Sequence, residues 1–548
     1  MAVRYALPLL SAAWLLMVLG WAAPQAAQTP GGRSDPHASA MFQTSHECLA
    51  CHNGLTTPTG EDVSIGSSWR ASMMANSARD PYWQASVRRE TIDHPEAKAE
   101  IEDECAICHM PMSRTQAVTT GGRGQIFAHL PVGRSQTGDV LAADGVSCAL
   151  CHQIRDDKLG TRESFTGGFV VDRARSGEPR SIFGPFEVDQ GRTTIMRSAT
   201  GFKPTEASHV RQSELCATCH TLYTSALGPG GKAIGELPEQ VPYLEWRHSA
   251  FREEQSCQSC HMPTVREKMP IASVLGEPRE GLARHSFTGG NFFMLRMLNR
   301  YRAELGVEAL PIELDAAANR TVKFLQSETA QIEVESASIS ATRLEFDISI
   351  QNLGGHKLPT AYPSRRVWLH VRVRDGSGRM VFESGAVGPN GLIEGNDNDV
   401  DPLKYEPHYT EIREPQNVQI YESIMAGADG RPTTGLLTAV QFIKDNRLLP
   451  RGFDKTSAEA DIAVRGDAFR DTDFTGGGDR TQFSIEVGAS SGPFEIEALL
   501  YYQPISFRWA QNLQSYEAAE TRRFVSYFNA MSAGSAEVLA RSTAKFRR

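Results

Sequence analysis

Ten cysteines stand in the 548-residue chain, and all fall in pairs of one spacing: Cys48 and Cys51, Cys105 and Cys108, Cys148 and Cys151, Cys216 and Cys219, Cys257 and Cys260. Each pair is followed at once by a histidine: His52, His109, His152, His220 and His261. Three familiar uses of such thiols need only part of this pattern. A dithiol redox site uses one pair and no adjacent histidine. Structural zinc takes four ligands per ion, so five Cys-Cys-His sets leave surplus histidines and an odd pair of thiols. A disulfide across two residues closes a small strained loop of little entropic value. Covalent haem attachment uses every element at once. Two sulfurs form thioethers with the porphyrin edge, and the local turn carries the histidine under the iron as its proximal ligand. Five covalent haems of the c type are therefore expected, with these ten cysteines and five histidines as their binding residues.

An iron held by one histidine has a second face. Ten histidines lie outside the motifs: His37, His46, His94, His129, His209, His248, His285, His356, His370 and His408. His209 and His248 sit a few residues upstream of the fourth and fifth pairs. His285 lies in RHSFTGGN beyond the last, where glycines let a loop approach a flat ligand closely. With His129 and His94 these form the set of expected distal ligands. His46, two residues before Cys48, reaches poorly to the far face of its own haem, though another haem is open to it. Met73 and Met74 offer a thioether alternative that raises a haem's potential, but they read better as core packing. His356, in GGHKLPTAYPSRRVW, sits on a loop and reads either as an ordinary surface histidine or as a group reaching across a domain boundary. His370 alternates with its neighbours in a strand pattern and is expected to face away from Leu369 and Val371. The stretch Glu394 to Asp401 gathers oxygen donors of the kind calcium takes, without EF-hand spacing, and reads first as solvated turn chemistry.

These residues must be positioned by the rest of the chain, which is too long for one core. The composition is that of a globular protein, 40% hydrophobic and 22% charged. Residues 1–27, with one arginine, an apolar run from Tyr5 to Trp21 and small residues around Ala26 and Ala27, read as a signal peptide. A retained anchor is the alternative, and either way the remainder is expected to be exported, to a bacterial periplasm or cell surface. A net charge of -9 with no basic run argues against nucleic acid as a partner. Residues 36–305 hold all five motifs with so little chain per macrocycle that short helices and loops must wrap the porphyrins. Residues 306–329 read as a helical linker. From about residue 330 the apolar period becomes two, in QIEVESASIS, RLEFDISIQN, RRVWLHVRVRDGSGRMVFESG, TQFSIEVGAS and PFEIEALLYYQ, so an all-β sandwich-like domain is expected over 330–505. Residues 506–548 read as a helical tail. The expected architecture is thus multidomain: mainly helical and loop-rich, then all-β, then helical.

The five motifs, with ARDPYWQASVRRE, SELCATCHTLY, CQSCHMP and RHSFTGGNFFMLRMLNRYR, resemble exported bacterial multihaem c-type cytochromes, the broad group that includes pentahaem nitrite reductases and octahaem hydroxylamine oxidoreductases. The resemblance covers roughly residues 40 to 305 and rests mainly on the motifs. It implies electron transfer between redox protein partners, with a membrane-associated complex as one setting. Pentahaem nitrite reductases typically carry lysine in place of histidine at the catalytic haem, whereas all five motifs here end in histidine. Two functions stay open: a relay with five six-coordinate haems, or an oxidoreductase acting on a small nitrogen or sulfur compound at one five-coordinate haem. A third, in which the β-domain serves adhesion or assembly, leaves the density of motifs unexplained.

Overall fold

The computed structural model describes residues 41–132, 137–172 and 178–547. The expected signal peptide and His37 lie outside them. Among the described residues, no helix is long and apolar enough to cross a membrane.

The described residues up to Glu328 build mostly short helices, several of whose starts are marked in the sequence. Proline opens those at Pro81–Asp93, Pro111–Thr119, Pro242–Arg247 and Pro311–Glu328, where its missing N–H costs nothing and its fixed φ suits the first turn. Asp80 caps Pro81–Asp93 by accepting from the N–H groups of Tyr82 and Trp83. Each Cys-x-x-Cys lies in a helix or begins at the end of one: Ser45–Leu49, Lys98–His109, Cys148–Cys151, Ser213–Ala217 and Cys257–His261. One helical turn therefore separates the sulfurs of a pair and brings them to one side. This region also contains strands that the sequence pattern did not announce. Ser181–Gly184 pairs in parallel with Lys203–Glu206, and Leu222–Leu227 pairs antiparallel with Ala233–Gln240.

Beyond residue 330 the predicted strands form. One four-stranded sheet runs Ala330–Ser340, Arg343–Asn352, Gly478–Glu486, Glu411–Ile412; another runs Ile420–Tyr421, Arg366–Arg374, Phe494–Gln503, Glu537–Phe546, with Met380–Ser384 also on Arg366–Arg374. Alternate residues of both, including Leu344, Phe346, Ile348, Val367, Leu369, Val371, Ile496 and Leu500, enter one apolar core, as the period of two requires. A three-stranded sheet of Pro432–Thr433, Ser423–Gly427 and Ala439–Asp445 is added.

The tail corrects the sequence reading. Phe507–Asn512 and Ala519–Met531 are helices, but Glu537–Phe546 is a strand, antiparallel to Phe494–Gln503 from Phe494↔Phe546 to Tyr502↔Glu537. Its Ala, Arg and Lys residues suit a helix, yet an open sheet edge offers a full ladder of backbone hydrogen bonds, and pairing overrides local preference. The tail also returns to the motif region. Arg88 on Pro81–Asp93 makes a two-pronged bond to Glu520, at 2.9 and 3.1 Å, and the Tyr82 and Phe524 rings meet at 4.9 Å.

Candidate haem sites

The motifs converge. Cys48, Cys51, Cys105, Cys108, Cys148, Cys151, Cys216 and Cys219, with His52, His109, His152 and His220, line one cavity of about 680 Å³. The fifth motif abuts it, with Gln258 and Met262 in the wall. All ten thiols are free. Thiols of different motifs meet: Cys48 with Cys148, Cys108 with Cys219, and Cys216 with Cys257. Cys151 is within electrostatic reach of Cys219. The spatial order is therefore first, third, fourth, with the second and fifth motifs both meeting the fourth. Burial pushes the Cys151 thiol up to about 12, whereas the Cys216 contact brings Cys257 down to about 7.

The imidazoles are held in a repeating way. The ring Nδ1 pairs with a backbone carbonyl in His52 (Ile271 O, 2.7 Å), His109 (Ser77 O, 3.1 Å), His152 (Phe183 O, 2.5 Å) and His261 (Thr288 O, 2.6 Å). An Nδ1–H donated to a carbonyl fixes the tautomer and leaves the Nε2 lone pair for a metal. Burial lowers His109, His220 and His285 to about 4, so these rings are neutral at ordinary pH. Two further imidazoles share the arrangement: His285 (Ala283 O, 2.9 Å) and His356 (Lys357 O, 3.0 Å).

Those two rings face motif histidines. The centres of His152 and His285 are 6.3 Å apart with planes 22° from parallel, and those of His261 and His356 are 6.2 Å apart at 6°. Direct stacking looks different here: Trp83 lies on His109 at 4.3 Å. Two nitrogens each about 2.0 Å from a shared metal, and about 1.1 Å from their own ring centres, put those centres about 6.2 Å apart. The residues present therefore fit a haem iron with an imidazole on either side.

Of the other expected distal ligands, His209, His248 and His129 make hydrogen bonds to other groups. His209 Nε2 pairs with Ile154 O at 2.8 Å, and its ring meets Phe183 edge-on. His248 Nε2 reaches Asp454 O at 3.2 Å and packs on Phe453. Both nitrogens of His129 are taken, by Asp139 at 2.8 Å and Ser113 at 3.3 Å. His94 ends the helix Pro81–Asp93, with its Nε2 buried and without a partner among the described residues. His46 pairs with Glu308 at the surface. Met73 and Met74 line the cavity beside the first and third motifs. His370 is bonded to Glu383 at 2.9 Å. In the acidic loop, Asp399 is claimed by Arg366 at 2.7 and 2.9 Å.

His408, Asp471 and Asp479 form a buried cluster in the β-rich part. Asn446, whose Nδ2 also donates to Ile420 O and whose Oδ1 accepts from Glu422 N, points Nδ2 at His408 Nδ1, 3.1 Å away. The ring proton must then sit on Nε2, which donates to Asp471 at 3.1 Å, leaving no lone pair for a metal. Sequence reasoning also passed over polar groups in the main cavity. Tyr82, Tyr362, Glu90 and Glu239 face it, burial holds Glu239 up at about 7, and the buried Tyr82 hydroxyl has no hydrogen-bond partner among the described residues. Their signal was weak, since ARDPYWQASVRRE reads as an ordinary capped helix.

The fold is similar to that in the crystal structure of a penta-heme cytochrome c552 from Thermochromatium tepidum, with a TM-score of 0.52 and 16% identity, over 92% of this chain and 100% of that one. This likeness concerns the fold and does not single out the nitrite reductase or hydroxylamine oxidoreductase group. No family model and no curated protein matches the sequence.

Proposed function

We propose that the protein is an exported multihaem c-type cytochrome that passes single electrons through five covalently attached haems between redox protein partners. The observation that carries this reading is the His152 and His285 pair, spaced for one metal ion between them, behind one of five identical attachment motifs. The cysteine pairs would hold the porphyrins, and His52, His109, His152, His220 and His261 would be the proximal ligands, with His285 opposite His152. When bound, haem supplies a one-electron couple whose potential follows its axial ligands, burial and hydrogen bonds. The chain's own part is to fix ring orientation through the Nδ1–carbonyl bonds, to exclude water with apolar walls, and to keep neighbouring attachment sites in contact. Little has to move when charge arrives at such a site.

Mass spectrometry of the denatured protein tests the reading. Five covalent haem additions are expected, together with absorbance that stays with the polypeptide on acid-organic extraction. Loss of colour to the organic phase would refute it. The polar wall of Tyr82, Tyr362, Glu90 and Glu239 favours a second reading, an oxidoreductase taking a small nitrogen or sulfur compound at one five-coordinate haem. Optical titration of the oxidised protein with nitrite, hydroxylamine or cyanide separates the two, since a relay leaves the spectrum unchanged.

A further inference from the structure

His356 belongs to the β-rich part of the chain, which carries no attachment motif, yet its ring lies parallel to that of His261 in the fifth motif. The loop that carries it is clamped onto the motif region. At Gly355 a Cβ would come within 3.2 Å of the Phe251 side chain and 3.4 Å of Trp246, so glycine lets the backbone sit directly on those rings. Asn352 Nδ2 donates to His356 O at 2.9 Å and to Leu448 O at 3.0 Å, tying the turn to its own sheet. Glu245, on the helix Pro242–Arg247, accepts from Lys357 N at 3.1 Å and from the Thr360 hydroxyl at 2.5 Å.

The same carboxylate opens a chain of alternating charge. Arg447 bridges Glu245 at 2.9 Å and Asp445 at 2.7 Å, and Lys357 Nζ reaches Asp445 at 2.7 Å. Lys357 and Glu245 are 0% exposed, and Asp445 and Arg447 only 3% and 7%. Two cations and two anions so buried are compatible with few arrangements, because any shift strands a charge away from water. The cluster spans Glu245 of the motif region and Lys357, next to His356, and so fixes where the imidazole stands.

We infer that His356 is the second axial ligand of the haem attached at Cys257 and Cys260, and that the Glu245, Arg447, Asp445 and Lys357 cluster is its positioning device. This rests on the proposed function and deepens it. The β-rich part then donates a ligand, and the fifth site is complete only when the two parts of the chain are packed together. The spacing, 6.2 Å, is close to the 6.3 Å between His152 and His285, and His356 Nε2, like His261 Nε2, has no hydrogen-bond partner among the described residues.

The test uses the full-length holoprotein, with haem count by mass and low-temperature electron paramagnetic resonance of the oxidised state. In His356→Ala, five haem additions should persist while one haem's worth of ferric spin moves from low to high spin, and added imidazole should return it. His356→Met, closer in volume to the native side chain, should keep that iron low-spin and raise one midpoint potential. His370→Ala, in the same β-rich part, should leave the spin count as in wild type. The inference is overturned if His356→Ala holds five haems with an unchanged low-spin integral, or if His370→Ala produces the same conversion. A wild-type protein lacking five covalent haems would instead overturn the proposed function itself.

Discussion

Asp479 sits in the β-rich core with its two oxygens unequally treated. Oδ2 accepts from the Tyr421 hydroxyl at 2.6 Å and from Gln419 Nε2 at 3.3 Å, while Oδ1 is buried with no partner among the described residues. Burial, and then the charges of Asp471 and Asp473, hold this carboxyl up at about 7, with the Tyr421 bond opposing. The ordinary value in an unfolded chain is about 3.9, and each tenfold difference in proton affinity is worth about 1.4 kcal/mol, so the full difference is about 4 kcal/mol. The sign follows from the raised folded value. The folded state keeps its proton where the unfolded state loses it, so stability from this site is complete below about pH 4, falls between pH 4 and 7, and levels off above. Asp479→Asn, an isosteric neutral group, removes that dependence. Its thermal midpoint should match wild type near pH 4 and exceed it at pH 8 by roughly 8–16 °C, at about 2–4 °C per kcal/mol for a unit of this size. Differential scanning calorimetry at pH 4, 6 and 8 reads this directly. A difference that does not vary with pH, or a variant weaker than wild type at pH 8, would refute the reasoning.

Further outcomes follow from the sites described above. His285→Ala should convert one iron from low to high spin, as counted by paramagnetic resonance, with imidazole restoring it. Asp445→Asn leaves Lys357 and Arg447 buried against one fewer anion and should cost about 3–5 kcal/mol in thermal or denaturant unfolding, whereas a loss under 1 kcal/mol would show that the cluster rearranges freely. Gly355→Val forces a side chain against Phe251 and should cost about 1–3 kcal/mol in the same assay, whereas an unchanged stability would show that the loop is not held against Phe251.

What could be read from the sequence divides along physical lines. Arg343–Asn352 was legible because one face is buried and apolar residues alternate along it, and Phe494–Gln503 because it opens with the same alternation before a fully buried apolar run. Helix starts at Pro81 and Pro311 were legible from local chemistry alone. The strand Glu537–Phe546 was not, because its reason to exist lies in an edge supplied by Phe494–Gln503. The short strands Ser423–Gly427 and Ala439–Asp445 likewise carry too few alternations to stand out from loops.

The site shows the same division more sharply. On the proposed reading, attachment residues and proximal histidines are contiguous in sequence because one helical turn must deliver two sulfurs and a ring to one porphyrin, so the motif is local chemistry and is legible. A second ligand needs only to arrive at the far face, and any segment can bring it. Proximity in sequence favoured His209 and His248, whose Nε2 atoms stand 2.8 Å from Ile154 O and 3.2 Å from Asp454 O. His285 and His356 share another feature: each lies on a glycine-containing loop, in RHSFTGGN and LGGHKLP, and each spends Nδ1 on a nearby carbonyl of its own segment. A close-packing loop that holds its own imidazole by one nitrogen has the other free to face outward. On the ligation proposed above, that local arrangement marks a distal ligand where distance from a motif does not, and it fails if His285→Ala leaves the low-spin count intact while His209→Ala lowers it.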